Sequence, residues 1–201
     1  MGSRAAPKRR NVKSGSDAAT DAHERHKDYL NETEIADLLQ AAKRGRHGIR
    51  DHLLVLMMYH HGLRVSEATG LRRDDIDLDQ ARVWVRRLKN GLAVEQPITG
   101  DELRAVKRYL ATRPDRLPWL FVSERGQALT RQTVNYLVAA AATRAGLPPV
   151  HPHMLRHSCG FALANRGHDL RLIQDYLGHR DPRHTAHYTR VAGSRFEGIW
   201  S

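Results

Sequence analysis

Apolar residues recur at the spacing of a helical face along most of the chain. The first stripe, with Ile35 and Leu38, follows Asn31 and Glu34, which are spaced as in a capping box. A second helix carries the apolar positions 53–58 and should end at His61-Gly62, where the chain turns. A third, short helix is predicted from about residue 65 to 71.

The apolar period then changes from helical to two. Val83 and Val85 alternate with Arg82, Trp84 and Arg86, and Asn90-Gly91 is a strong signal for a tight hairpin turn. Val94, Gln96 and Ile98 continue as the return strand. The pattern therefore predicts a mainly α protein with a small antiparallel β-sheet (α+β).

Helical spacing resumes after the hairpin. Thr99 and Glu102 again have capping-box spacing, a short strand is predicted at 119–122, and a helix runs from about Met154 to Arg166. Two further helices are predicted, one between Thr130 and Gly146 and one between Asp169 and Gly178, and a last helix holds Tyr188. The inward-facing residues of the helix after Asp169 are predicted to be Leu172, Ile173, Tyr176 and Leu177.

Composition narrows the class of protein. The 201 residues are 40% hydrophobic, enough for one buried core or at most two, and the net charge of +11 is typical of a protein that acts on a polyanion, although a merely basic protein stays open. Residues 1–28 are rich in Gly, Ser, Lys and Arg, which predicts a disordered basic leader or a phosphate-contacting arm. No apolar run is long enough to cross a membrane.

Cysteine usage points to a reducing compartment. Cys159 is the single cysteine, so no intrachain disulfide can form, and its apolar neighbours predict a buried, unreactive thiol. We therefore expect a cytoplasmic protein.

Candidate catalytic groups lie where predicted helices and strands end. Each has a structural explanation when it is taken alone: Arg64 could pair with Glu67 one turn later, and Lys89 could be an ordinary hairpin lysine. A zinc site from His151, His153, His157 and Cys159 is disfavoured, because the spacing lacks the His-Glu-x-x-His arrangement. The candidate set is Arg64, Lys89, His153, Arg156, His179 and Tyr188.

Five segments that contain these residues resemble the tyrosine recombinase (phage integrase) family in order and separation. They are His61–Glu67, Lys89–Gly91, His151–Ser158, Leu177–Arg180 and His187–Thr189. The resemblance spans roughly residues 30–195 and is greatest to the short DNA invertases of fimbrial phase variation. It implies that residues 29–201 form one catalytic domain.

The resemblance also implies a role for each residue. Arg64 and Arg156 match the arginines that hold the scissile phosphate, and Lys89 matches the general acid of the hairpin. His153 and His179 match the histidines that donate to the same phosphate or assist proton transfer. Tyr188 matches the nucleophile, and Glu67 matches an acidic residue that supports the site. Cationic surroundings should favour the Tyr188 phenolate, and neither a metal nor another cofactor is expected.

The expected partner is double-stranded DNA with short repeat sites, bound by a tetramer, with help from architectural DNA-bending proteins in the nucleoid. The alternatives are an integrase or resolvase, a non-catalytic DNA-binding regulator, a type IB topoisomerase and, more remotely, a metallonuclease. The segment after Tyr188, with Phe196, Ile199 and Trp200, is predicted to pack on its own domain or on a neighbouring subunit.

Overall fold

The computed structural model describes residues 28–87, 93–179 and 181–190, with the backbone alone at 189 and 190. Four sequence-based predictions lie outside these residues: the leader up to residue 27, the general acid Lys89, the hairpin turn Asn90-Gly91 and the segment that contains Phe196, Ile199 and Trp200.

The described residues form eight helices and three strands, so the predicted mainly α fold with a small sheet is confirmed. In chain order these elements are α1 (Glu32–Lys43), α2 (Gly48–His60), α3 (Val65–Gly70), β1 (Ile76–Asp77), β2 (Arg82–Val85), β3 (Val94–Pro97), α4 (Gly100–Ala111), α5 (Arg131–Ala145), α6 (Pro152–Asn165), α7 (Leu170–Leu177) and α8 (Arg183–Arg190). No described helix has the length and apolar character needed to cross a bilayer.

The sheet is antiparallel in the order β1-β2-β3, and β2 and β3 pair with Val83 opposite Gln96. Val83 and Val85 are buried while Arg82 and Trp84 are exposed, as the period of two predicts. The edge strand β1 was not predicted, because two residues that follow the 3₁₀ turn Arg73–Asp75 are too few to show a period.

The main core lies between the helices. Helix α1 packs on α2 and α5, and α2 also packs on α4 and α6. A smaller apolar cluster is formed where α6, α7 and α8 meet, and its buried members are Cys159, Phe161, Ala164, Ile173, Leu177 and Tyr188. This second cluster supports the C-terminal part of the candidate site.

Several helix ends follow the sequence. Asn31 and Glu34 make the reciprocal capping box of α1, Thr130 accepts from the Thr133 amide at 3.1 Å, and Asp169 accepts from the Leu172 amide at 2.9 Å. The capping box predicted at Thr99 is wrong. The Thr99 side chain makes no cap bond, and the Glu102 carboxylate, which would form the other half of the box, instead binds two histidines in the interior.

Two other predictions are also wrong. Residues 119–122 make isolated bridges instead of a strand, because the Arg113 guanidinium takes the carbonyls of Trp119 and Leu120 at 2.7 and 2.6 Å. Leu172 is 42% exposed, since Ile173 and Leu177, four residues apart, define the inward face of the short helix α7.

Candidate active site

Arg156 connects three parts of the chain that carry candidate residues. Its side chain is almost fully buried on α6 and donates from Nη1 to the Gly62 carbonyl at 2.5 Å and from Nη2 to the Leu177 carbonyl at 2.6 Å. Burial, followed by the nearby charges of Arg64 and Arg87, lowers the pKa of Arg156 to about 10. The guanidinium is therefore a buried cation held at a fixed place between α2, α6 and α7.

Gly62 allows this approach of the chain segments. It has a positive φ of 56°, and a Cβ there would lie 2.4 Å from a methyl group of Leu177. The turn between α2 and α3 can therefore lie against the end of α7, with Arg64 two residues further on.

Arg64 is the cap residue of α3 and stays partly open to solvent. Its Nη1 donates to the Glu67 carboxylate at 2.7 Å, and its backbone amide donates to the other oxygen of Glu67 at 2.9 Å. The ion pair that the spacing allowed is thus present, and the guanidinium retains further N–H donors, because one Arg carries five.

Arg87 is the second cation on Glu67, and the sequence analysis missed it. Its guanidinium is buried, with Nη1 2.9 Å from the Glu67 carboxylate and Nη2 bonded to the carbonyls of His61 (3.0 Å) and Tyr176. Burial opposes ionisation of Glu67, but the charges of Arg87 and Arg64 lower its pKa below the ordinary value. Every second residue from Val83 faces inward, and extending this alternation from Val85 by two positions would have predicted that Arg87 is buried.

His179 follows Gly178, which ends α7 in the left-handed region at φ 64°. Its Nδ1 lies 2.8 Å from the hydroxyl of the buried Thr185, and its ring stacks on that of Tyr188 with centroids 6.2 Å apart. Burial, and then the charges of Arg156 and Arg64, lower the pKa of His179 to about 3. Its neutral ring therefore faces a strongly cationic region.

His153 lies one turn before His157 on α6. Its ring meets that of His157 edge-on at 4.4 Å, and its residue is exposed. Partial desolvation of the ring, followed by the charge of Arg156, lowers the pKa of His153. His153 is therefore on the same helix face as the His157 ring and open to an incoming ligand.

Tyr188 is buried, with 2% of its surface exposed. Its hydroxyl lies 2.9 Å from His157 Nδ1, and its ring meets that of Phe161 edge-on at 5.1 Å. Burial raises the pKa of Tyr188 to about 12 against the opposing charge of Arg156. The charges of Arg156 and Arg64 favour the phenolate, as expected, but desolvation is the larger effect among the described residues, so the net shift favours the neutral phenol.

The zinc alternative finds no support in the geometry. Within the described ranges, no three His, Cys, Asp or Glu side chains are grouped as metal ligands. Cys159 is buried with its pKa raised to about 12 by desolvation, and its thiol donates to the His60 carbonyl. The predicted burial of this thiol is confirmed, and its low reactivity stays a prediction.

Comparison with known proteins identifies the family. Residues 28–195 match the phage integrase family, which is most of the chain. The chain belongs to the phage integrase family. The resemblance drawn from the five sequence segments is therefore confirmed.

Relatives of this phage integrase family member include two regulators of fimbriae. The chain is 44% identical to the type 1 fimbriae regulatory protein FimB of Escherichia coli (strain K12) over 184 residues, 89% of this chain and 92% of FimB. It is 45% identical to FimE of the same strain over 178 residues, 86% of this chain and 90% of FimE.

Solved structures agree with this phage integrase assignment. The XerA recombinase superposes with a TM-score of 0.74 at 29% identity, covering 83% of this chain and 61% of that one. The XerH site-specific recombinase, in a post-cleavage complex with palindromic difH substrate, gives 0.74 at 26% identity, covering 89% of this chain and 54% of that one.

A buried polar cluster, which the sequence analysis did not predict, adjoins the residues of the candidate site. His61 lies 2.7 Å from Glu102 through Nε2 and 2.8 Å from the Gln96 amide oxygen through Nδ1, and Gln96 donates to the Tyr176 carbonyl at 2.8 Å. Arg87 binds the same carbonyl, so this cluster connects α4 to the Glu67 ion pair.

Proposed function

We propose that the chain is a site-specific DNA recombinase that breaks and rejoins DNA strands through a 3′-phosphotyrosyl intermediate. The observation that carries the proposal is the position of Arg156. One buried guanidinium binds the carbonyls of Gly62 and Leu177, and these belong to the segments that contribute Arg64 and His179. Three of the five family-like segments are therefore joined at one cation, and Tyr188 stacks on His179 beside it.

The proposed reaction begins with attack of the Tyr188 oxygen on the scissile phosphorus. The bond from phosphorus to the 5′ oxygen breaks, and the enzyme retains the 3′ phosphate while a 5′ hydroxyl is released. The phosphotyrosyl ester keeps the energy of the phosphodiester, so attack by another 5′ hydroxyl can rejoin the strand without ATP.

The cations supply the stabilisation that this transition state needs. Arg64 and Arg156 would bind the non-bridging oxygens, since planar guanidinium groups suit phosphate and act on charge that grows in the transition state. His153 and His179 would contact the same phosphate, and Lys89 would protonate the leaving 5′ oxygen. Glu67 would hold Arg64 in place instead of moving protons.

The fimbrial relatives favour inversion as the outcome. FimB and FimE carry names that refer to regulation of fimbriae, and similarity to them extends along about nine-tenths of their lengths. We propose a DNA invertase of the fimbrial phase-variation type, with integration or resolution as the second candidate. It would act in the nucleoid on double-stranded DNA with short repeat sites, as a tetramer assisted by DNA-bending proteins.

The proposed domain division follows from the same reasoning. Residues 29–201 would form the catalytic domain, and the basic leader of residues 1–28 would precede it. Because binding would rest largely on phosphate contacts, affinity should fall steeply as salt rises.

A nicked suicide substrate that carries the cognate repeat tests the proposal. Incubation in EDTA should give a covalent adduct between the protein and the 3′ end of the DNA, and Tyr188→Phe should abolish it. Tyr136→Phe is the matched control, because Tyr136 is 72% exposed on α5 and belongs to none of the candidate segments. Binding of the repeat without any adduct would instead favour a non-catalytic regulator.

Two further outcomes separate the remaining alternatives. Adduct formation that EDTA abolishes would favour metal-dependent cleavage. Relaxation of supercoiled DNA without exchange between two repeats would favour a type IB topoisomerase. Inversion and excision are distinguished by placing the two repeats in inverted or direct orientation on one plasmid.

A further inference from the structure

The hydroxyl of Tyr188 faces an imidazole that the proposed roles above leave unused. His157 Nδ1 lies 2.9 Å from the Tyr188 oxygen, within hydrogen-bond distance. His157 is inside α6, one residue after Arg156, so its backbone is fixed by the same helix that positions the buried guanidinium. The contact is therefore between two groups on rigid elements.

The opposite nitrogen of His157 faces a carboxylate. Asp28 Oδ2 lies 3.8 Å from His157 Nε2, which is an electrostatic contact, too long for a direct hydrogen bond. Because an ionised carboxylate has acceptors only, it favours the tautomer that carries the proton on Nε2. The lone pair of Nδ1 then faces the phenol, and the Tyr188 hydroxyl donates to it.

The surroundings keep both rings in this relation. The His157 side chain is only 20% exposed, and the His153 ring lies edge-on against it. Gly160, three residues further along α6, leaves room for the phenol ring, since a Cβ there would come within 2.6 Å of it. The phenol ring thus lies against the backbone of the helix that carries its hydrogen-bond partner.

His179 is less suited to accept this proton. Its ring is nearly parallel to that of Tyr188, at an angle of 22° with centroids 6.2 Å apart, whereas the hydrogen bond of the Tyr188 hydroxyl is to His157. Its Nδ1 is already paired with Thr185 at 2.8 Å. In the proposed reaction, His179 Nε2 is the nitrogen that remains for the phosphate.

We propose that His157 is the general base that takes the Tyr188 proton during strand cleavage, with Asp28 as the residue that orients it. As the phenol oxygen forms its bond to phosphorus, the proton passes to Nδ1, and the 5′ oxygen leaves with a proton from the proposed general acid Lys89. On rejoining, the 5′ hydroxyl attacks, the phenol leaves, and His157 returns the proton to it. The inference rests on the proposed recombinase function.

The protonation equilibria are consistent with a concerted step. Burial disfavours the charged form of each group, so it raises the pKa of Tyr188 and lowers that of His157. The neighbouring His153, His187 and Arg156 lower the His157 pKa further, to about 4, against the opposing charge of Asp28. Transfer before attack is therefore unfavourable. Bond formation to phosphorus makes the phenol more acidic, so the proton moves with the bond.

His157→Asn tests the base directly. The Asn amide oxygen replaces Nδ1 as a hydrogen-bond acceptor but cannot take a proton, so positioning of Tyr188 is kept while basicity is lost. We expect single-turnover adduct formation to fall about 10²–10³-fold, within the range for loss of a general base. His168→Asn is the matched control, because His168 is an exposed histidine in the turn between α6 and α7, outside the candidate segments, and it should cleave like wild type.

A substrate with a bridging 5′-sulfur separates this role from that of the general acid. A thiolate leaves without a proton, so the substrate should restore cleavage by Lys89→Ala and leave the His157→Asn defect in place. Rescue of His157→Asn by the sulfur substrate, or cleavage of the ordinary substrate at the wild-type rate, would overturn the proposal.

If His157→Asn does not fold, Asp28→Asn carries the test. Asp28 is half exposed, so the change should preserve the fold, and we expect adduct formation to slow several-fold as the ring loses its preferred tautomer. An unchanged rate would then overturn the proposal. A wild-type chain that forms no adduct would instead contradict the recombinase function itself.

Discussion

The ring of Tyr188 lies directly on Gly160, so that a Cβ at position 160 would come within 2.6 Å of Cε2. Gly160 is in the interior of α6, where glycine is normally unfavourable by up to about 1 kcal/mol relative to alanine. The position therefore gives up helix stability to leave space for the phenol.

Gly160→Ala should slow strand cleavage by about 10²-fold while leaving DNA binding intact, because displacement of a reacting group by about 1 Å has effects of this size. The measurement is single-turnover adduct formation on the nicked substrate. Gly70→Ala is the control, since nothing lies within 4 Å of a Cβ at position 70. Full activity of Gly160→Ala would mean that the phenol moves freely from its observed place.

Arg156→Lys should reduce cleavage at least about 100-fold, because a single ammonium group cannot bind phosphate in the forked manner of a guanidinium. It should also destabilise the fold by about 1–3 kcal/mol, since the buried carbonyls of Gly62 and Leu177 cannot both keep their partner. Urea unfolding and adduct formation measure the two effects separately. Arg171→Lys, at an exposed site on α7, should change neither.

Glu102 should make the fold sensitive to acid. Burial alone would raise its pKa, but hydrogen bonds from His60 and His61 lower it from 4.5 to about 2. Because the folded pKa is below the unfolded one, this contribution is fully present above about pH 4.5 and is lost as the pH falls towards 2. The difference corresponds to about 3 kcal/mol.

Urea unfolding at a series of pH values between 5 and 2 measures this contribution. Glu102→Gln should remove that part of the pH dependence, whereas Glu95→Gln, on the exposed face of β3, should follow the wild type. Equal slopes for wild type and Glu102→Gln would contradict the assignment.

The pKa of His179 should rise when an anion fills the site. Burial and the charges of Arg156 and Arg64 hold its pKa at about 3 in the structure described above. A vanadate ester that mimics the pentacoordinate phosphorus would offset those cations, so the pKa should rise by about one unit or more. An NMR titration of the histidines through the acid range, with nicked DNA and vanadate and with DNA alone, tests this, and an unchanged titration midpoint for His179 would place the anion elsewhere.

Local sequence signals predicted the features that depend on neighbouring residues. Helical stripes, the caps at Asn31, Thr130 and Asp169 and the paired strands β2 and β3 are all of this kind, because each depends on groups a few positions apart. The candidate residues themselves were predicted from motif resemblance, and the structure gives the contacts of all of them except Lys89, which lies outside the described residues.

The features that were missed depend on partners far along the chain. Glu102 has capping spacing, but its partners are His60 and His61, about 40 positions away. Arg113 takes carbonyls that a neighbouring strand would have used, so residues 119–122 do not form one. His157 was weighed only as a metal ligand, because its spacing to Tyr188 gives no sign that the two side chains meet.

The hydrogen bond from Arg156 to the Leu177 carbonyl couples the proposed cleavage activity to intact folding. Leu177 is the last residue of α7, so fraying of that short helix withdraws the carbonyl and frees the guanidinium from its place. A molecule in which α7 has unfolded would thus lose the cleavage activity together with the local fold. If the chain cuts DNA as proposed, damaged or immature copies would be unable to nick the chromosome.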